Sequence, residues 1–267
     1  MKRTITCLLI LTIMLAAAMK IAAQDKKKAQ PLKGSNALAK NQALAEEAYG
    51  KGIERQAAGD IDGAIADYTR ALELDPYYPD AYNNRANARM TKGDLSGAVA
   101  DFTEAIRYRP ESDEGYYNRG LAYLTQENYQ AALADFSRSI EIKPQAIAYN
   151  NRGNVYRALN KTKEAIADYT KAVEAMPLAD AYYNRGAAYE DLLDYKSALA
   201  DYTRAIELNE NFARAYANRG MILLQQNKDA DAQRDFVKGI QLDESLRPEI
   251  EKYVKATRAS RPARKRS

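Results

Sequence analysis

The chain has 267 residues, 46% of them hydrophobic and 28% charged, which is ample for a large packed core. Its net charge of +4 is too mild to argue for nucleic acid, and it contains neither Trp nor His. The single cysteine, Cys7, lies inside an apolar leader, so once that leader is removed the chain has no thiol chemistry, no disulfides and no histidine proton shuttle.

Residues 1–24 read as a secretory signal peptide. Met1-Lys2-Arg3 is a basic start, Thr4 to Met19 is an apolar run, and Ala22-Ala23-Gln24 offers a small-residue cleavage site before Asp25. The apolar run is short for a full membrane span and Lys20 interrupts it, which favours cleavage over a retained anchor. The expected location is therefore exported, periplasmic or otherwise associated with the cell envelope. Residues 25–42 read as a flexible linker, because Lys26, Lys27, Lys28, Pro31, Lys33 and Gly34 break any apolar period. Ala37-Leu38-Ala39 is compatible with a helix start near Ser35–Asn36.

From about residue 43 to 244 one pattern recurs six times. Small residues at Gly52, Ala86, Gly120, Gly153, Gly186 and Gly220 lie 34, 34, 33, 33 and 34 residues apart. Each is followed twelve residues later by Ala64, Ala98, Ala132, Ala165, Ala198 or Ala232. An aromatic comes four residues after that, at Tyr68, Phe102, Phe136, Tyr169, Tyr202 or Phe236. A fixed period in this range signals a solenoid of helical hairpins. Small residues let two helices approach closely, aromatics fill the remaining space, and each hairpin must pack on its neighbour because it cannot bury its apolar face alone.

With the period numbered so that these small residues stand at position 8, Pro76, Pro110, Pro144 and Pro177 fill position 32, while Glu210 and Glu244 replace it in the last two repeats. Tyr82, Tyr116, Tyr149, Tyr182 and Tyr216 fill position 4, where repeat one has Ala48. The pattern resembles the tetratricopeptide repeat. The resemblance implies an all-α, right-handed superhelical solenoid of six hairpins with a concave and a convex side.

Within hairpins, Gly59, Gly93, Asn160 and Asn227 suit left-handed helix endings, and Asp60, Asp94, Asn128 and Asp194 stand where the second helix needs an N-cap. Repeats four and six have Lys161 and Lys228 there, with Thr162 or Asp229 available to cap one residue later. The one-residue shortenings fall in loops between repeats. Residues 245–257 read as a capping helix, with Leu246, Ile250, Tyr253 and Val254 covering the last repeat, and 258–267 as a basic disordered tail.

Two columns stand out for function. Position 6 holds Asn84, Asn118, Asn151, Asn184 and Asn218, with Gly50 in repeat one. A carboxamide carries a donor and an acceptor, so such a column can pair with the backbone of an extended peptide; the resemblance implies that position 6 faces the concave groove. The competing structural reading is that these asparagines satisfy local backbone groups. Tyr49, Tyr117 and Tyr183 at position 5, together with Asn87 and Asn154 at position 9, extend the candidate groove.

The second column is Lys51, Arg85, Arg119, Arg152, Arg185 and Arg219 at position 7, matched by Asp67, Asp101, Asp135, Asp168, Asp201 and Asp235 at position 23. It reads as a repeated structural ion pair, within or between repeats. Position 2 is mostly acidic and position 5 never Lys, which argues against a clamp for a C-terminal carboxylate. No cofactor, metal or enzymatic motif emerges. Asn160-Lys161-Thr162 matches a glycosylation sequon and reads as a chance match.

The sequence thus points to a non-catalytic scaffold binding a protein or peptide partner, with no nucleic acid. Its rival is an envelope tether whose basic termini hold anionic lipid or polymer, with the repeats as spacer.

Overall fold

The computed structural model describes residues 35–261, with side chains from Leu38 onward. The leader expected at 1–24 and the last six residues of the basic tail lie outside that range. Among the described residues the chain is helical throughout, without a strand. No described helix is long and apolar enough to cross a membrane.

The chain divides into two compact units, the first ending at Tyr78 and the second beginning at Pro79. The first unit is one hairpin, α1 (Ser35–Ala57) and α2 (Ile61–Leu74). Helix α1 has 23 residues and starts at Ser35, so the second part of the expected linker, 35–42, is helical. Ala39, Lys40, Gln42 and Leu44 are competent helix formers and no Gly or Pro intervenes between Gly34 and Gly50.

The second unit stacks five more hairpins. Their helices are α3 (Pro79–Thr91) and α4 (Leu95–Tyr108), α5 (Asp113–Thr125) and α6 (Tyr129–Ile142), α7 (Ala146–Ala158) and α8 (Thr162–Ala175), α9 (Ala179–Asp191) and α10 (Tyr195–Leu208), α11 (Ala213–Gln225) and α12 (Asp229–Leu242). Within a repeat the two helices pack on each other, and the second helix then packs on the first helix of the next repeat. A 3-10 turn (Glu244–Leu246) leads into a last helix, α13 (Arg247–Ser260), which ends three residues later than the sequence predicts. Leu246 and Ile250 are buried on repeat six, with Tyr253 and Val254 packed beside them. Arg261 ties the end of α13 back to Asp229 and to the Leu224 carbonyl.

The core follows the repeat pattern. The alanines at position 20 and the aromatics at position 24 are buried in every repeat. The aromatic needs the small residue facing it: a Cβ on Gly153 would lie 2.6 Å from Cε1 of Tyr169. The loops Lys143–Gln145 and Met176–Leu178 are one residue shorter than Arg109–Ser112, so the shortenings leave the helices whole.

Gly59, Gly93, Asn160 and Asn227 adopt positive φ as the sequence predicts, and Glu127 and Leu193 do so as well. The Asp60, Asp94, Asn128 and Asp194 side chains accept from the backbone N–H three residues on. The expected late caps do not form. Lys161 and Lys228 occupy the N-cap positions without a side-chain bond, and Thr162 and Asp229 fall one residue inside their helices, past the point where a side chain folds back onto the first turn.

Candidate functional site

Each arginine at position 7 forms a two-pronged pair with the aspartate of its own repeat. Arg152 Nε and Nη2 donate to Asp168 at 2.6 and 2.8 Å. Arg85–Asp101, Arg119–Asp135, Arg185–Asp201 and Arg219–Asp235 repeat the geometry. The aspartates are buried, and their bonds hold the guanidinium of each of Arg119, Arg152, Arg185 and Arg219 more firmly protonated than usual. The remaining nitrogen reaches back one repeat, from Arg119 to Thr103, Arg152 to Ser137, Arg185 to Thr170 and Arg219 to Thr203. The pair is thus internal to the repeat, and a hydroxyl at position 25 couples it to the previous one. Repeat one departs: Lys51 pairs with Glu47, and Asp67 meets Arg55 Nε at 3.2 Å.

The asparagine column makes a second ladder, between first helices. Asn118 Nδ2 donates to Asn83 Oδ1 at 3.3 Å and Asn184 Nδ2 to Asn150 Oδ1 at 3.0 Å. Asn151 Nδ2 donates to the Tyr117 hydroxyl at 2.8 Å, and Asn218 Nδ2 to those of Tyr183 at 3.4 Å and Tyr202 at 3.2 Å. Position 6 of each of these repeats therefore grips position 5 of the repeat before it. The carboxamide oxygens of Asn118, Asn151, Asn184 and Asn218 accept from no described residue, and all four side chains are half-buried. Asn84 is half-buried too and has its own polar partner.

The position-5 tyrosines are wedged rather than loosely wet. Tyr117 packs 5.8 Å from Phe136, and Tyr183 lies 5.6 Å from Tyr202 and 4.8 Å from Phe212. In the first unit Tyr49 sits 5.8 Å from Tyr68 and 4.8 Å from Tyr78. Burial pushes the Tyr117 and Tyr183 phenols above their ordinary range. Asn154 Oδ1 accepts from Tyr169 at 2.7 Å, whereas Asn87, also half-buried, makes its contact through its carbonyl, which accepts from Thr91.

Profiles of the tetratricopeptide repeat match this chain at residues 55–93, 83–147, 146–177, 179–212 and 213–246. The chain belongs to the tetratricopeptide-repeat family. A solved structure of MamA protein is 27% identical, with a TM-score of 0.58, covering 64% of this chain and 94% of that one. YrrB, described as a tetratricopeptide-repeat protein with an unusual peptide-binding site, has a TM-score of 0.58 at 21% identity, covering 72% of this chain and 97% of its own, and shares the fold. An uncharacterized protein of Methanocaldococcus jannaschii is 43% identical over 44 residues, and this chain spans about half of that relative's length.

The tetratricopeptide framework also carries a feature that sequence reasoning did not use. Where position 24 is tyrosine, position 12 is polar: Gln56, Arg157 and Glu190. Where position 24 is phenylalanine, position 12 is Met90, Leu124 or Leu224. Tyr68 donates to Gln56 at 2.8 Å and Tyr202 to Glu190 at 2.7 Å. Burial holds the Tyr169 and Tyr202 phenols far above their ordinary range and raises the Glu190 carboxyl. Arg157 pairs with Asp191 of the next repeat at 2.7 and 3.2 Å. The co-variation of positions 12 and 24 was readable from the sequence; the Arg157–Asp191 pair, which joins non-equivalent positions, was not. The acidic position 2 is partly spoken for, since Arg109 donates to Asp80 at 2.8 and 3.1 Å.

Proposed function

We propose that this chain is a non-catalytic scaffold that captures an extended segment of a partner protein along the face built by its first helices. The observation that carries the reading is the position-5/position-6 ladder. It runs from repeat two to repeat six, its position-6 asparagines are half-buried, and each of Asn118, Asn151, Asn184 and Asn218 spends a donor on the scaffold while keeping an acceptor for a visitor. A row of fixed acceptors at repeat spacing suits backbone N–H groups of an extended chain, whatever its side chains. Membership of a repeat family that supplies binding surfaces, and the peptide-binding description of YrrB, support the same reading. The matched profiles describe a repeat and none describes an enzyme.

We place the scaffold in the cell envelope on the strength of the leader-like residues 1–24. The test is paired capture from an envelope extract, with the wild-type chain and an Asn118→Ala, Asn151→Ala, Asn184→Ala chain of unchanged helicity as baits. A protein retained by the first and lost from the second supports groove capture. Equal retention by both moves binding off the ladder. Retention that disappears with Arg258–Ser267 deleted, or in high salt, would instead favour the tether.

A further inference from the structure

The end of α9 and the turn into α10 read Glu190-Asp191-Leu192-Leu193-Asp194. Leu193 stands at φ 60° and is 70% exposed, and Leu192 beside it is 46% exposed. A branched apolar side chain gains nothing from water and costs energy in the left-handed region, where the corresponding turns place Gly59, Gly93, Asn160, Asn227 and the solvated Glu127. The result is a strained apolar knob edged by Asp194, with Asp191 already paired to Arg157 and Glu190 bonded to Tyr202.

An apolar groove lies elsewhere in the same unit. In the earlier repeats of the second unit the following first helix packs along the second helix; α13 instead packs on α11. A cleft of about 700 Å³ remains between α12 and α13, floored by Phe236, Val237, Ile240, Ile250 and Val254. Val237 occupies position 25, where repeats two to five place a hydroxyl for the next arginine, and it is 45% exposed. Its rim carries Arg247 and Glu251, 3.8 Å apart, and beside them Lys255 and Arg258, which pair with no described acidic residue.

Knob and groove are complementary in both polarity and charge, and both are open within a single copy. We infer that the Leu192–Leu193 knob of one copy seats in the α12–α13 groove of a second copy. The contact is heterologous, so every copy keeps a free knob and a free groove and the association extends head to tail. Asp194 faces Lys255 and Arg258 across it, which makes it salt-sensitive.

The test uses sedimentation of the full chain in a non-ionic detergent, so that the apolar run near Met1, common to all variants, does not drive aggregation. Wild type should gain mass with concentration beyond a dimer. Leu193→Gly fits the turn without strain, so it should fold at least as stably as wild type yet associate about 10- to 100-fold more weakly, the worth of one buried leucine. Val237→Glu should block the groove, and Lys255→Glu with Arg258→Glu serves if that variant folds poorly. Mixing the knob variant with the groove variant should give a 1:1 dimer that grows no further, because each retains the half that the other lacks. A wild type that stays monomeric, a Leu193→Gly chain that associates like wild type, or a mixture that forms no dimer overturns the proposal.

Discussion

Asp168→Ala isolates the energetic role of the position-7 pairs. The Asp168 side chain is 5% exposed and that of Arg152 is 15% exposed. Removing the carboxylate deletes bonds of 2.6 and 2.8 Å and leaves a guanidinium with little water to replace them. Breaking one partner of a buried pair costs roughly 3–5 kcal/mol. Arg152 keeps its bond to Ser137 and its place over the rings of Tyr149 and Tyr156, so the expected loss is near the lower end, about 3 kcal/mol. For an array of this length that corresponds to a fall of roughly 6–12 °C in the thermal midpoint. Urea unfolding followed by circular dichroism and by tyrosine fluorescence checks it, with Glu207→Ala as control. Arg204–Glu207 is solvated, its side chains being 48% and 55% exposed, and should contribute far less. An Arg152→Ala, Asp168→Ala chain should recover part of the loss, because it leaves no unpaired charge. If Asp168→Ala costs no more than Glu207→Ala, the buried-pair reasoning is wrong.

Three further substitutions test the irregular repeats. Lys51→Arg gives repeat one the fork that its Asp67 lacks, where Oδ2 is buried without a hydrogen bond, and should add about 1 kcal/mol in urea unfolding. Lys161→Asp supplies the missing N-cap of α8 and should add a similar amount, about 1 kcal/mol, read as a higher midpoint. Glu190→Gln keeps an acceptor for Tyr202, as Gln56 does for Tyr68. Because burial raises the Glu190 carboxyl, the folded chain prefers it protonated, so its ionisation weakens folding as pH rises from the ordinary carboxyl range through the raised value. The glutamine chain should therefore be the more stable at pH 7, with the advantage fading below about pH 4, in midpoints measured across that range.

Nearly all of the fold was legible in the sequence, because a solenoid is built from local contacts repeated at a fixed period. Gly153 facing Tyr169 and Asp194 capping α10 are each dictated by a short stretch of chain. The candidate site was legible in its members but not in its bonding. Asn118 could be placed on the first helix, yet its grip on Asn83, 35 residues away, depends on how closely successive first helices lie. The position-5 tyrosines can be assigned to the groove from their register, but nothing local reveals that Phe136 or Phe212 will close over them. Lys161 looked replaceable as a cap by Thr162 because one residue of helix register cannot be fixed from sequence.

The central claim is that the asparagine ladder holds an extended segment, and a binding titration tests it most directly. A fluorescent peptide selected on the wild-type chain from a random library should bind the Asn118→Ala, Asn151→Ala, Asn184→Ala chain at least about tenfold more weakly, the worth of three lost hydrogen bonds at their lower limit. It should bind an Arg138→Ala, Arg204→Ala chain, altered on second helices, with unchanged affinity. Equal affinity for the wild-type and triple-alanine chains, or loss of binding in the second-helix variant alone, would contradict the claim.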